Sequence, residues 1–141
     1  MGRIEYFVPG LPVAQPRQRT RVMRVHGRPM AQNYTPTNSP VNSFKAAVRM
    51  GWPGKAVAID GPVHLVLTFM FPRSKSKTRK VNIQEPKTGK PDIDNLIKSV
   101  ADALTGLAWK DDAQIASVVA MKRTAGDGDT AGVAIRIVVA D

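Results

Sequence analysis

The stretch Lys90–Ile115, KPDIDNLIKSVADALTGLAWKDDAQI, decides how this chain folds. Leu96, Ile97, Val100, Ala101 and Leu104 recur at helical spacing and form one apolar stripe. The spacing predicts a helix over Asp94–Thr105, closed by Gly106. Asp94, Lys98 and Asp102 are four apart and so share a second face. Asp92 sits just ahead of the helix, and Asp111-Asp112 follows where the chain emerges at its far side. Residues two apart in a turning backbone can project to one side, so Asp92 and Asp94 are expected to converge. Asp111 and Asp112 alternate, so one of them is expected to join that point while the other meets solvent or caps a turn.

Upstream, residues 73–90 read as a basic loop, RSKSKTRKVNIQEPKTGK, without the apolar spacing of a core element. Before it, Val63–Phe71 (VHLVLTFMF) is a strand bounded by Gly61-Pro62 and Pro72. Ser39-Pro40 has the form of a helix start, and the helix runs to about Met50 with Val41, Phe44, Ala47 and Val48 inward. Residues 11–38 are punctuated by Pro12, Pro16, Pro29 and Pro36 and read as a long loop, with room for a flexible hairpin from Arg21 to Met30. Residues 1–10 form a strand ending at Pro9-Gly10. Downstream, Ile115–Arg123 and Val133–Ala140 are strands expected to form an antiparallel hairpin across Gly126-Asp127-Gly128-Asp129. The order strand, helix, strand, helix, strand, strand defines an α/β (α+β) class: one mixed-sheet domain over residues 1–141 with two long basic loops.

The chain has 141 residues and a formal charge of +10, unevenly distributed. Residues 1–60 hold nine Lys or Arg against two acids, residues 61–90 seven against one, and residues 91–141 five against eight. Positive charge confined to two segments is the electrostatic footprint of a nucleic-acid partner. The absence of cysteine excludes disulfides, thiolate zinc sites and a cysteine nucleophile. No apolar run approaches the ~20 residues of a membrane span, and MGRIEYFVPG has neither a signal-peptide core nor a myristoylation pattern. A cytoplasmic protein without a membrane partner fits.

Carboxylates gathered inside a positive field suit a hard divalent cation, Mg²⁺ or Mn²⁺, placed where a polyanion will lie. Such an ion activates water and neutralises charge on a phosphoryl oxygen, and Lys98 beside it would stabilise the same developing charge. An Asp at a helix start is often only an N-cap, but one cap needs one carboxylate and this segment offers two plus a distant pair.

The run Pro91-Asp92-Ile93-Asp94-Asn95-Leu96-x-Lys98, then Asp102-Ala103-Leu104-x-Gly106, then Asp111-Asp112-x-Gln114-Ile115, resembles the signature of the RusA family of Holliday junction resolvases, common in bacteria and on prophages. The close match covers about 26 residues; elsewhere order and character agree. The resemblance implies a homodimeric, Mg²⁺-dependent endonuclease that nicks two opposed strands of a four-way junction in DNA recombination and repair, with no small-molecule cofactor. Residue by residue, it implies Asp92, Asp94 and Asp112 as metal ligands and Lys98 as the catalytic lysine, and it matches Asn95 to the motif asparagine at the DNA. Asp102 matches a frequent helix acid, for which pairing with Lys98 is expected.

Arg17, Arg19, Arg21, Arg24 and Arg28 in one loop, and Lys75, Lys77, Arg79 and Lys80 in the other, are expected to grip phosphates largely without regard to sequence. Aromatic content is 6%, so base stacking is not the main mode. His26 and His64 fit surface or core roles. Trp109 is expected behind the metal loop, and Trp52 fits core, dimer interface or DNA contact alike. A nuclease motif built on Glu85-Pro86-Lys87 fails because it would set Pro86 in a strand that needs its N–H. A phosphotransferase would need an apolar strand leading into Asp92, where KTGK stands. A non-catalytic DNA-binding protein explains the basic loops but leaves the acids unexplained.

Overall fold

The structure is a computed structural model that describes residues 2–16, 19–34, 39–54, 58–73 and 84–139. Among the described residues, seven strands and two helices follow in the order β1 (Gly2–Pro9), β2 (Arg19–Val25), β3 (Arg28–Tyr34), α1 (Pro40–Gly51), β4 (Val63–Phe71), β5 (Glu85–Pro86), α2 (Ile93–Leu104), β6 (Ile115–Thr124) and β7 (Gly132–Val139). A single 3-10 turn, Asp112–Gln114, leads into β6. Five strands form a mixed sheet in the order β1-β7-β4-β6-β5, and β2 and β3 form a separate ribbon. The mixed α+β class expected from the sequence is therefore the one observed.

Strand β4 is central because one of its faces, Val63, Leu65, Leu67, Phe69 and Phe71, is wholly buried and the other is at least half-buried, and such a strand sits best between two neighbours. It runs parallel to β6 and antiparallel to β7. This corrects the expected hairpin between the last two strands, since β4 lies between them. The turn residues after Thr124 carry the chain past the end of β4, where the Ala125 N–H donates to the Phe71 carbonyl at 2.8 Å. A second correction concerns Glu85-Pro86, read as loop, which forms a two-residue edge strand on β6. An edge tolerates the missing N–H of Pro86. A third is the ribbon, which extends the expected Arg21–Met30 hairpin to Arg19–Tyr34.

Both helices appear where the periodicity places them. Val41, Phe44 and Val48 of α1 and Leu96, Val100 and Leu104 of α2 are buried. All of these but Val41 join Leu65, Leu67 and Phe69 of β4 and Val133, Ile135 and Ile137 of β7 in one core. Each such side chain contributes roughly 1.5–3 kcal/mol when fully buried. Trp52 belongs to this core, its ring edge-on to Tyr6 at 6.2 Å, which decides among its three readings. The other sheet face carries half-buried His64, Val66 and Thr68, and His64 Nδ1 lies 2.6 Å from Ser117 Oγ.

Candidate nuclease site

The acidic residues take their positions from the two ends of α2. At its start, Asp92 occupies the N-cap position with extended backbone, and its carboxylate makes no cap hydrogen bond. It pairs instead with Lys90, whose Nζ lies 3.0 Å from both carboxylate oxygens at the exposed surface. Asp94 follows in the first turn, where the positive helix end favours acids. Lys98 is one turn further on the same face and is exposed. Among the described residues the side chains of Asp94, Lys98 and Asp112 make no hydrogen bond or ion pair.

Lys122 of β6 holds this end in place. Its Nζ donates to the carbonyl oxygens of Gly89 and Pro91 at 2.6 and 2.8 Å. The Gln15 N–H donates to the Asn95 carbonyl at 2.9 Å, fastening residues 11–16 to the same turn. Asn95 itself is half-buried. Nothing in the sequence marked Lys122 apart from other strand residues, because its role depends on the distant segment that packs against it.

At the far end of α2, Gly106 takes φ +88° and turns the chain, and its N–H donates to the Trp109 carbonyl at 2.7 Å. Trp109 is wholly buried, its Nε1 donating to Thr105 Oγ1 at 3.0 Å. Asp111 then caps the 3-10 turn. Its Oδ1 accepts from the Ala113 N–H at 2.9 Å, and Gln114 Oε1 accepts from the Asp111 N–H at 3.0 Å. Gln114 Nε2 also donates to the carbonyls of Ile59 and Gly61. This reciprocal cap engages Asp111 and leaves the Asp112 carboxylate unengaged.

The expected convergence of three carboxylates does not occur within one chain. Among the described residues no three His, Asp or Glu side chains stand close enough together to hold a metal ion. The physical reason is the antiparallel return of β6 against α2. Asp112 precedes Ile115, whereas Lys122, beside Pro91, lies seven residues along β6, about 23 Å further on at strand rise. The 12-residue α2 spans about 18 Å between the two acid groups. Asp102 differs from expectation too: its partner is Lys45 of α1 at 3.8 Å, not Lys98.

Of the expected DNA contacts, Arg17, Lys75, Lys77, Arg79 and Lys80 lie outside the described residues, and only the backbone of Arg19 is described. Arg21 is exposed on the ribbon, where Nε and Nη2 donate to Gln32 Oε1 at 3.1 and 3.0 Å.

Two helices packed with a mixed sheet, an Asp-x-Asp pair opening α2, and a second acid pair opening β6 are the features by which a family can be tested. Residues 9–138 match the model of the family described as endodeoxyribonuclease RusA, and the chain belongs to that family. It is also similar to an uncharacterized protein, YqaN, of Bacillus subtilis (strain 168), at 33% identity over 131 residues covering 86% of this chain and 88% of that one. Family membership makes this an endodeoxyribonuclease of the Holliday junction type. No helix among the described residues is long and apolar enough to cross a membrane.

Proposed function

We propose that the protein is a Mg²⁺-dependent homodimer that resolves four-way DNA junctions by paired symmetric nicks in recombination and repair, within a bacterial cytoplasm; Mn²⁺ substitutes for Mg²⁺. The observation that carries this reading is the placement of the two acid groups at opposite ends of α2, beside an unpaired sheet edge.

Outside β5, the outer edge of β6 from Ile115 to Met121 has no neighbouring strand among the described residues. Val118, Val119 and Met121 along it are 37%, 56% and 38% exposed. A long apolar edge of this kind is a template for another chain. Pairing with a second copy about a two-fold near Val118 and Val119 joins the two edges antiparallel. The start of one β6 then meets the Lys122 end of the other. Asp112 of the partner subunit thereby comes to the side of the molecule where Asp92 and Asp94 stand. Such a site has three hard oxygen donors and no His or Cys, the set that suits Mg²⁺.

Bound there, the cation supplies an activated water and neutralises charge on the scissile phosphate. Asp92, Asp94 and Asp112 hold it. Lys98, one turn from Asp94, stabilises the negative charge that develops on the leaving oxygen. Arg17, Arg19, Arg21, Lys75, Lys77, Arg79 and Lys80, with Asn95, hold the DNA, mainly by its phosphates. Two sites in one dimer match the two opposed strands.

The test is incubation of purified protein with a fixed four-way junction in Mg²⁺ or in EDTA. Paired nicks are expected only with the metal. Asp92→Asn, Asp94→Asn and Asp112→Asn are expected to bind the junction without cutting it. Full cleavage by all three variants would overturn the assignment of the site, and binding without cleavage by the wild type would mark a non-catalytic DNA-binding protein.

A further inference from the structure

The β2–β3 ribbon stands apart from the five-stranded sheet, and its apolar side chains are exposed. Val22 is 73% exposed, Met23 38%, Val25 41% and Met30 54%. Two-stranded ribbons without a supporting layer are marginal in water, so an apolar ribbon held out in solvent calls for a partner. Its turn, His26-Gly27, has φ +51° and +75°, the positive pair of a tight two-residue hairpin that keeps the tip narrow.

The register sorts the tip into two faces. Met23 stands opposite Met30, and Val25 opposite Arg28; these two pairs and Arg21–Gln32 share one face. Val22–Ala31 and Arg24–Pro29 form the other. The face nearest the tip is therefore apolar at its centre, with arginines before and after it. No Asp or Glu occurs between Glu5 and Asp60, so nothing in this part of the chain repels a polyanion.

We propose that this ribbon is a wedge that enters the branch point of the DNA, with Met23 and Met30 against base faces and Arg21, Arg24 and Arg28 on the flanking phosphates. The inference rests on the branched-DNA reading above and adds to it a part that opens the substrate. Charge complementarity selects DNA over a second copy, since two such ribbons would repel each other. A two-stranded ribbon fits a DNA groove, and methionine is among the apolar side chains that proteins insert between base steps. Its unbranched thioether adapts to an irregular stack. A branch point is where bases are most easily unstacked, because each strand there already departs from a continuous helix.

The experiment places 2-aminopurine at the branch point of a fixed junction, in EDTA, with protein at saturation. The wild type is expected to raise its fluorescence at least about twofold, and the Met23→Ala/Met30→Ala variant to leave it near the free-DNA value. With Mg²⁺, that variant is expected to nick the fully paired junction about tenfold more slowly and to recover to within about threefold on a junction with unpaired bases at the branch point. Met23→Leu/Met30→Leu is expected to keep the fluorescence rise, which separates loss of the wedge from loss of the hairpin. An alanine variant that retains the rise, or a slower rate that is equal on both substrates, would overturn the wedge. A wild type that binds and nicks yet leaves 2-aminopurine dark would overturn the wedge alone. One that fails to bind the junction would overturn the branched-DNA reading with it.

Discussion

Lys122, near the end of β6, donates from Nζ to the Pro91 carbonyl oxygen at 2.8 Å, so the approach to Asp92 is fastened to the sheet by one ammonium group. The same nitrogen holds Gly89 at 2.6 Å. Charged hydrogen bonds of this kind are directional as well as attractive. Lys122→Met keeps the stem and removes both bonds. The expected result is junction nicking slowed by about tenfold with a loss of stability of no more than about 2 kcal/mol, read from single-turnover rates and thermal unfolding.

A site shared between two copies makes a prediction that a site within one copy does not. Asp92→Asn and Asp112→Asn are each expected to be inactive alone. Refolded together, they form mixed dimers in which one site carries both substitutions and the other carries neither. Nicking of a single strand of the junction is expected to return in the mixture. If no activity returns, the acids do not meet across a dimer.

Lys98 is exposed on the face of α2 that also carries Asp94. Lys98→Ala is expected to lower the single-turnover nicking rate about 100-fold, the scale of losing one group that stabilises developing charge. Junction affinity, measured in EDTA, should change much less than the rate.

Gly132 opens β7 opposite Pro9, and a Cβ there would lie 2.4 Å from the Val8 carbonyl oxygen and from Phe7 Cζ. The phenyl ring can swing away, but the backbone oxygen sits in a paired strand. Gly132→Ala is expected to cost about 3 kcal/mol, seen as a lower midpoint in urea with an unchanged slope.

Burial pushes the Tyr6 phenol well above its usual 10.0, and its hydroxyl donates to the Val48 carbonyl at 3.2 Å. Above pH 10.0 the unfolded chain releases this proton while the folded chain retains it. Stability contributed by the neutral phenol is therefore fully present below that pH and is lost progressively above it, as pH rises toward the raised value of the folded chain. Tyr6→Phe is expected to flatten this alkaline fall when stability is measured across it.

Much of this architecture can be read from one-dimensional patterns, and the exceptions share a cause. The stripe Leu96–Leu104 locates α2 to within a residue, because a helix face is a local property. The apolar run of β4 is equally local. Strand neighbours are not: turn residues between β6 and β7 suggest a hairpin, yet the demand of β4 for two partners overrides them. The acids follow the same rule. Their spacing and the Asp-x-Asp pair are legible, whereas the capping role of Asp111 becomes visible only when Gln114 closes around it. Convergence of all three fails in one chain because α2 and β6 run in opposite directions, and Asp102 finds Lys45 because α1 packs beside it.

Glu85 and Pro86 occupy the outer edge of β6 opposite Thr124 and Arg123, and the Lys87 N–H donates to the Lys122 carbonyl at 3.0 Å. In the paired arrangement proposed above, an incoming β6 can slide along its twin only until it abuts that short strand. Pro86 would then serve as a doorstop, setting how far the two copies overlap and thus how far apart the two cuts fall on the junction.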